Sequence, residues 1–123
     1  MRYLIVAALV VAAIIHLLPL AGALGSERLT ALYGLSFAEP NLAILMRHRA
    51  ILFGLLGGFL LFAVFQPACR TPAFLGGLIS VGSFLYLAGS VGGYNAQLGR
   101  VFIADLIALG FLAVGFAAHL YQR

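Results

Sequence analysis

Charged residues are scarce in this chain. They make up 8% of its 123 residues, whereas soluble domains carry about 25%. Hydrophobic residues make up 64% of the chain, and the mean hydropathy is +1.15. This composition excludes a soluble globular protein. The length suits one domain with a handful of membrane spans, which also excludes a membrane anchor with an attached enzyme domain.

The chain also lacks basic runs, paired cysteines and known catalytic motifs, which excludes further functional classes. The seven basic residues give a net charge of +4, but they are scattered and form no run, so nucleic acid is excluded as a partner. The single cysteine, Cys69, excludes an intrachain disulfide and a cysteine-based metal site. The Walker loop, the G-x-S-x-G elbow, H-E-x-x-H and Cys-x-x-Cys are all absent, so the sequence predicts no catalytic residue.

What the chain does have is long apolar runs. Their bounds predict one transmembrane domain, residues 1–123, with spans over about residues 3–24, 41–65, 73–93 and 98–121. The first run resembles a signal peptide, but it exceeds the 7–15 apolar residues of such a segment, which favours a retained span. A short amphipathic helix ending near Gly34 is expected at the membrane surface between the first two spans. The predicted fold is an all-α integral membrane four-helix bundle, up-down-up-down.

Small residues four positions apart predict close packing between these spans. Such pairs let helix backbones approach each other where lipid provides no hydrophobic drive for association. The pairs are Gly54 with Gly58, Gly76 with Ser80, Gly89 with Gly93, and Ala104 with Ala108.

The second span begins with charged residues where a membrane helix is expected to be apolar. Its purely apolar part, residues 50–65, has 16 residues, whereas crossing a bilayer takes roughly 20. The helix must therefore begin near Asn41, a good capping residue, so that Arg47, His48 and Arg49 lie more than a turn inside it. Ionisable groups at that depth are costly and indicate a candidate functional site.

Alternating helix directions bring the end of span one, the start of two, the end of three and the start of four to one membrane face. Pro19 frees the carbonyl of Ile15 near that face, and a kink there would widen the bundle. We predict a ligand-binding cluster at this face, with no metal site and no catalytic residue, formed by His16, Arg47, His48, Arg49, Tyr94, Asn95, Arg100 and Asp105.

Asp105 is the only acidic residue within a predicted span, so we expect it to pair with an arginine of the second span. Arg47 and Arg49 are about 200° apart on a helix, so only one of them can face the interior. We expect Arg47 to do so, because Gly54 lies two turns further along the same face, and Arg49 to lie nearer the lipid. A purely structural pair between helices is the alternative to a functional one.

The two upstream histidines allow a second interpretation. Histidines from neighbouring helices can hold a haem b, and His16 and His48 fall on the same side of the membrane. A redox component that uses haem b or a quinone is therefore the alternative function. Against it, His16 also fits a hydrogen-bonded core histidine, and His48 fits a residue facing lipid headgroups.

Residues 39–49 (EPNLAILMRHR) and 92–95 (GGYN) resemble a family of small bacterial four-helix membrane proteins of unknown function. The length and layout of the whole chain are similar to the wider DoxX-like group. Some relatives carry the label phosphopantetheine adenylyltransferase. This sequence does not support that activity, because it has no H-x-G-H motif and no room for a nucleotide-binding α/β domain. The DoxX-like resemblance implies a link to quinone or thiol redox chemistry and assigns no residue a catalytic role.

The predicted function is binding of a lipid or a small amphipathic ligand at the polar cluster, or service as a subunit of a membrane assembly. The expected partners are membrane lipids and further copies or subunits in a complex. An enzymatic activity is not predicted.

The predicted location is the bacterial inner membrane. The positive charges barely decide orientation, because they are divided between the two sides of the membrane. Three arginines lie on the side of the termini (Arg2, Arg70 and Arg123), and four lie on the other side (Arg28, Arg47, Arg49 and Arg100). Two of those four lie inside a helix and Arg28 is next to Glu27, so we expect both termini in the cytoplasm.

Overall fold

The computed structural model describes residues 2–36 and 39–122, without the side chains of Ala21, Leu24, Ser26, Arg28 and Leu29. The Arg28 side chain and Arg123, which entered the orientation prediction, thus lie outside the described residues. All regular structure within the described ranges is helical. The helices are α1 (Arg2–Leu17), α2 (Ser26–Tyr33), α3 (Pro40–Phe65), α4 (Arg70–Val91) and α5 (Ala96–Gln122), and 3₁₀ segments occupy Leu18–Leu24 and Pro67–Cys69.

Four stretches of the described chain are long and apolar enough to cross a membrane. They are Arg2–Leu20, Pro40–Phe65, Pro67–Val91 and Ala96–Gln122. Many of their apolar side chains face outward, and Leu55, Phe65 and Ile79 are each more than two-thirds exposed. An apolar outer surface suits contact with lipid tails. The prediction of an all-α membrane bundle with four long helices and a short one between the first two is confirmed.

The four long helices form a closed ring. Helix α1 packs against α3 and α5, and α4 packs against the same two helices. Short connections join α3 to α4 and α4 to α5, so successive helices run in opposite directions. Large buried side chains from all four helices meet in the centre: Ile5, Leu9, Leu60, Phe74 and Leu112.

The α-helical part of the first span ends earlier than predicted. Helix α1 ends at Leu17, and Pro19 lies in the first turn of the 3₁₀ segment that follows. Proline has no N–H, and its ring clashes with the carbonyl four residues earlier, so an α-helix is broken there. His16 consequently lies in the last turn of α1 rather than well before the end of the span.

Helix α2 ends as expected at Gly34. This residue has φ of 69°, in the left-handed region, and its N–H donates to the carbonyl of Thr30 at 2.7 Å. Only glycine adopts this conformation without a steric penalty, which is why it ends so many helices.

Helix α3 is capped by Glu39, not by Asn41 as predicted. The Glu39 carboxylate accepts from the backbone N–H of Leu42 at 2.8 Å and of Asn41 at 3.1 Å. Pro40 takes the first helical position, where its missing N–H costs nothing. These two N–H donors favour the charged form of the Glu39 carboxyl and so hold its pKa below the ordinary value. The bond from Leu42 has the larger effect.

The turn between α3 and α4 satisfies carbonyls at the end of α3. Arg70 donates from Nε to the carbonyl of Ala63 at 3.0 Å and from Nη2 to that of Val64 at 2.8 Å. Helix-terminal carbonyls have no partner within their own helix, so an arginine at this position stabilises the turn. Cys69 lies in the same turn, half-buried and as a free thiol.

Glycines mark the closest helix contacts, but not all at the predicted pairs. A methyl group added at Gly54 would meet Leu20 at 2.5 Å, and one at Gly57 would meet the Ala13 carbonyl at 3.1 Å. The same addition at Gly58 or at Gly89 meets nothing within 4 Å. The prediction that Gly54 and Gly58 form a packing pair is therefore wrong, because Gly57 rather than Gly58 makes the second close contact.

Gly115 of α5 makes the closest contact of this kind. An added methyl would overlap Ala8 of α1 and lie 3.0 Å from the Phe74 ring of α4. We expect Gly115→Ala to lower the free energy of unfolding in detergent by about 1–3 kcal/mol, because α1 and α5 must separate to accommodate it.

The matched control for this prediction is Gly110→Ala in the same helix, where an added methyl meets nothing within 4 Å. That variant should be as stable as the wild type or slightly more stable, since alanine favours helix over glycine. Thermal unfolding of both variants measures the difference. Equal stability of the two variants would contradict the packing described here.

Candidate functional site

A cavity of about 310 Å³ opens beside the end of α1, between α1, α2, α3 and α5. We call it the main cavity. Its wall includes apolar side chains such as Leu18, Phe53 and Val101. Its polar lining consists of His16, Tyr33, Arg49, Gln97, Arg100 and Asp105. A mostly apolar cavity with a few convergent polar groups is the usual form of a small-molecule site.

Both ring nitrogens of His16 have hydrogen-bond partners within the protein. Its Nδ1 lies 2.8 Å from the carbonyl of Ala12, and its Nε2 lies 2.9 Å from the hydroxyl of Ser80 on α4. Because a carbonyl only accepts, Nδ1 must donate, and a neutral ring then accepts the Ser80 hydroxyl proton at Nε2. His16 therefore links α1 to α4 across the bundle, as a hydrogen-bonded core histidine does.

Arg49 is held against the cavity wall by α2 and by its own helix. Its Nη1 donates to the Tyr33 hydroxyl at 2.7 Å. Its guanidinium lies 4.4 Å from the Phe53 ring centre and 5.4 Å from the Tyr33 ring centre. A guanidinium over aromatic faces is stabilised by cation–π attraction, most strongly where water is excluded.

The structure reverses the predicted roles of the two arginines on α3. Arg47 is exposed, does not line the main cavity, and donates from Nε to the Ala23 carbonyl at 3.0 Å. Arg49 lines the cavity and interacts electrostatically with Asp105. The expected Arg47–Asp105 pair is thus wrong. The reason is that the face of α3 carrying Arg47 and Gly54 meets the 3₁₀ segment, not the bundle interior.

Asp105 is the buried acid of the main cavity. It is 8% exposed, and it makes no hydrogen bond and no ion pair within 4.0 Å with any residue of the described ranges. Arg49 acts on it electrostatically but places Nη1 on Tyr33. The Asp105 carboxylate is therefore available to a molecule in the cavity.

The other predicted site residues lie around the cavity without lining it. His48 is exposed. Tyr94 is also exposed, and its ring stacks on Phe102 with centroids 5.6 Å apart. Asn95 accepts from the N–H of Leu98 at 2.8 Å, which caps α5, and its Nδ2 donates to the Tyr33 carbonyl at 2.7 Å.

Of the eight predicted residues, the structure brings four together in the main cavity: His16, Arg49, Arg100 and Asp105. Sequence reasoning missed Tyr33 and Gln97 as lining residues. Tyr33 ends the predicted amphipathic helix. Its position beside Gly34 was the one feature of the sequence that could have indicated it as a lining residue. Gln97 gives no signal in the sequence, because its role follows from contact between its side chain and Gly34.

A second, more open cavity of about 450 Å³ adjoins the main one. We call it the apolar cavity. It is lined mainly by Leu35, Leu42, Met46 and Leu98, and it shares Tyr33 and Arg49 with the main cavity. The hydrogen-bonded Tyr33–Arg49 pair is therefore a wall common to a polar space and an apolar one.

The residues present do not fit a haem held by two histidines. Both ring nitrogens of His16 are engaged, by Ala12 and by Ser80, and His48 lies outside the main cavity. The described residues also contain no group of three or more His, Cys, Asp or Glu side chains placed to hold a metal ion.

No family model, curated protein or solved structure matches this chain. The resemblance to DoxX-like proteins therefore stays a prediction from the sequence.

The hydrogen bond between His16 and Ser80 can be tested by Ser80→Ala. This change leaves the buried Nε2 of His16 without a donor, so we expect a loss of about 1–3 kcal/mol in unfolding free energy. Ser83→Ala is the matched control on α4, because the exposed Ser83 hydroxyl bonds only to the Ser80 carbonyl of its own helix. Thermal unfolding in detergent compares them, and a Ser80→Ala protein as stable as the control would exclude the proposed link.

Proposed function

We propose that this protein binds a lipid headgroup or another small amphipathic molecule in the main cavity, within the bacterial inner membrane. The observation that carries the proposal is Asp105, which is buried beside that cavity and makes no hydrogen bond and no ion pair within 4.0 Å with the described residues. A buried charge without a partner is costly, so a bound molecule that supplies a donor stabilises the site.

The amphipathic character of the ligand is supported by the neighbouring apolar cavity. Polar groups line one side of the Tyr33–Arg49 pair, and leucine and methionine side chains line the other. A molecule with one polar and one apolar end suits this division. The outward apolar surface of the long helices likewise supports membrane lipids as partners, and contact with further subunits stays a proposal.

Native mass spectrometry of the protein released from detergent tests the proposal. The wild type should carry a bound molecule of defined mass. Ala104→Phe should lose it, because residue 104 lines the main cavity and a phenyl ring would fill the space. Ala113→Phe should keep it, because Ala113 is exposed on the same helix.

Two results would contradict the proposal: a wild type without any bound molecule, or equal retention by both variants. The redox alternative predicts a different outcome. A quinone mass, or a Soret band that shifts on reduction, would favour a redox component, and only such a result would support the DoxX-like chemistry implied by the sequence.

We also propose that both termini lie in the cytoplasm. Reporter fusions after residue 123 and within residues 25–40 test this orientation, because three spans separate the two sites and so place them on opposite sides of the membrane. The terminal fusion should report the cytoplasm and the internal fusion the periplasm. Cytoplasmic activity from the internal fusion would reverse the orientation and leave the cavity unchanged.

A further inference from the structure

We infer that the main cavity recognises a zwitterionic group, with a primary ammonium beside Asp105 and an anionic group beside Arg100. This inference rests on the proposed function and names the chemistry of its ligand.

The ammonium end is assigned from Asp105. Asp105 is 8% exposed and lines the cavity, and its carboxylate oxygens are accessible from that space. The residue lacks a hydrogen-bonding partner in the part of the chain that the structure describes. Arg49 makes no hydrogen bond to it in the observed position, where Nη1 donates to Tyr33 and the guanidinium lies over Phe53. A primary ammonium supplies three donors and the opposite charge.

The anionic end is assigned from Arg100. This residue lines the cavity but is exposed, so it lies at the opening. It makes no hydrogen bond or ion pair with the described residues, and its guanidinium can bind a phosphate or a carboxylate through two parallel hydrogen bonds. Arg100 precedes Asp105 by five residues, which corresponds to about 7.5 Å along the helix axis.

The combination favours a zwitterion over either simple ion. A simple anion would gain from Arg49 and Arg100 but would lie in a cavity with the Asp105 carboxylate. A simple amine would gain from Asp105 but would share the cavity with two guanidiniums. Charges of like sign repel, and most strongly beside the buried Asp105, so a group with both charges, arranged opposite to those of the cavity, avoids both penalties.

Isothermal titration calorimetry of the delipidated wild-type protein in detergent tests the inference with four soluble probes. Phosphoethanolamine has both charges, ethanolamine has only the ammonium, inorganic phosphate has only the anion, and phosphocholine has a trimethylammonium without N–H donors. Phosphoethanolamine should bind at least about tenfold more tightly than each of the others, as expected for one lost charge-assisted hydrogen bond. Phosphate or phosphocholine binding as tightly as phosphoethanolamine would overturn the inference.

Variants assign each end of the ligand to its residue. Asp105→Asn should bind phosphoethanolamine no more tightly than phosphate, and Arg100→Gln should bind it no more tightly than ethanolamine. Arg47→Gln, an arginine of the same region outside the cavity, should keep the wild-type preference. An unchanged preference in Arg100→Gln would overturn the assignment of the anionic end. If Asp105→Asn does not fold, the comparison of phosphoethanolamine with phosphocholine on the wild type decides the ammonium end.

The zwitterion can belong to a lipid or to a free molecule. Tighter binding of dihexanoylphosphatidylethanolamine than of phosphoethanolamine would indicate a lipid headgroup, and equal or weaker binding a free zwitterion. If no zwitterionic probe binds while the wild type alone carries a bound molecule in native mass spectrometry, this inference fails and the proposed function stands. If the wild type carries no molecule either, both fail.

Discussion

Close contact between α1 and its two neighbours determines where the bundle can open. Gly57 of α3 and Gly115 of α5 lie against α1 with no space for a side chain. The α-helix ends before Pro19, and the chain continues as a 3₁₀ segment that stays packed on α3. The main cavity lies beside this end, with Leu18 and Pro19 in its wall and α2 packed against the 3₁₀ segment. The bundle is thus closely packed along α1 and opens beside the end of that helix.

The polar side chains of the long helices fall into two groups. His16 and Arg70 have partners within the protein, and each joins two helices or closes a turn. His119 also has one, because its Nε2 lies 2.9 Å from the Thr71 hydroxyl. Asp105 and Arg100 make no hydrogen bond or ion pair with the described residues, and both line the main cavity. A membrane interior provides no water to compensate buried polar groups, so Asp105 is the residue that indicates binding most directly.

Sequence reasoning succeeded where composition and helix direction decide the outcome, and it failed where helix rotation decides it. Apolar runs and turn residues were sufficient for the four long helices, and alternating direction was sufficient to bring His16, Arg49, Arg100 and Asp105 to one end. The choice of Arg47 over Arg49 was wrong because apolar residues surround α3 on all sides, so its sequence marks no buried face. Gly54, Gly57 and Gly58 offered several rotations, and only the contacts with Ala13, Leu17 and Leu20 select one. Tyr33 and Gln97 were missed because their positions depend on how α2 folds back over α5.

The side-chain amide of Asn95 joins two parts of the molecule that are distant in sequence. Its oxygen holds the first turn of α5, and its nitrogen holds the last carbonyl of α2. Helix α2 covers the main cavity through Ala31, Leu32 and Tyr33, while α5 provides Arg100 and Asp105. Any displacement of α2 away from α5 must therefore break the bond to Tyr33 or pull the beginning of α5 along with it. One side chain thus couples the helix that covers the cavity to the helix that carries its charges.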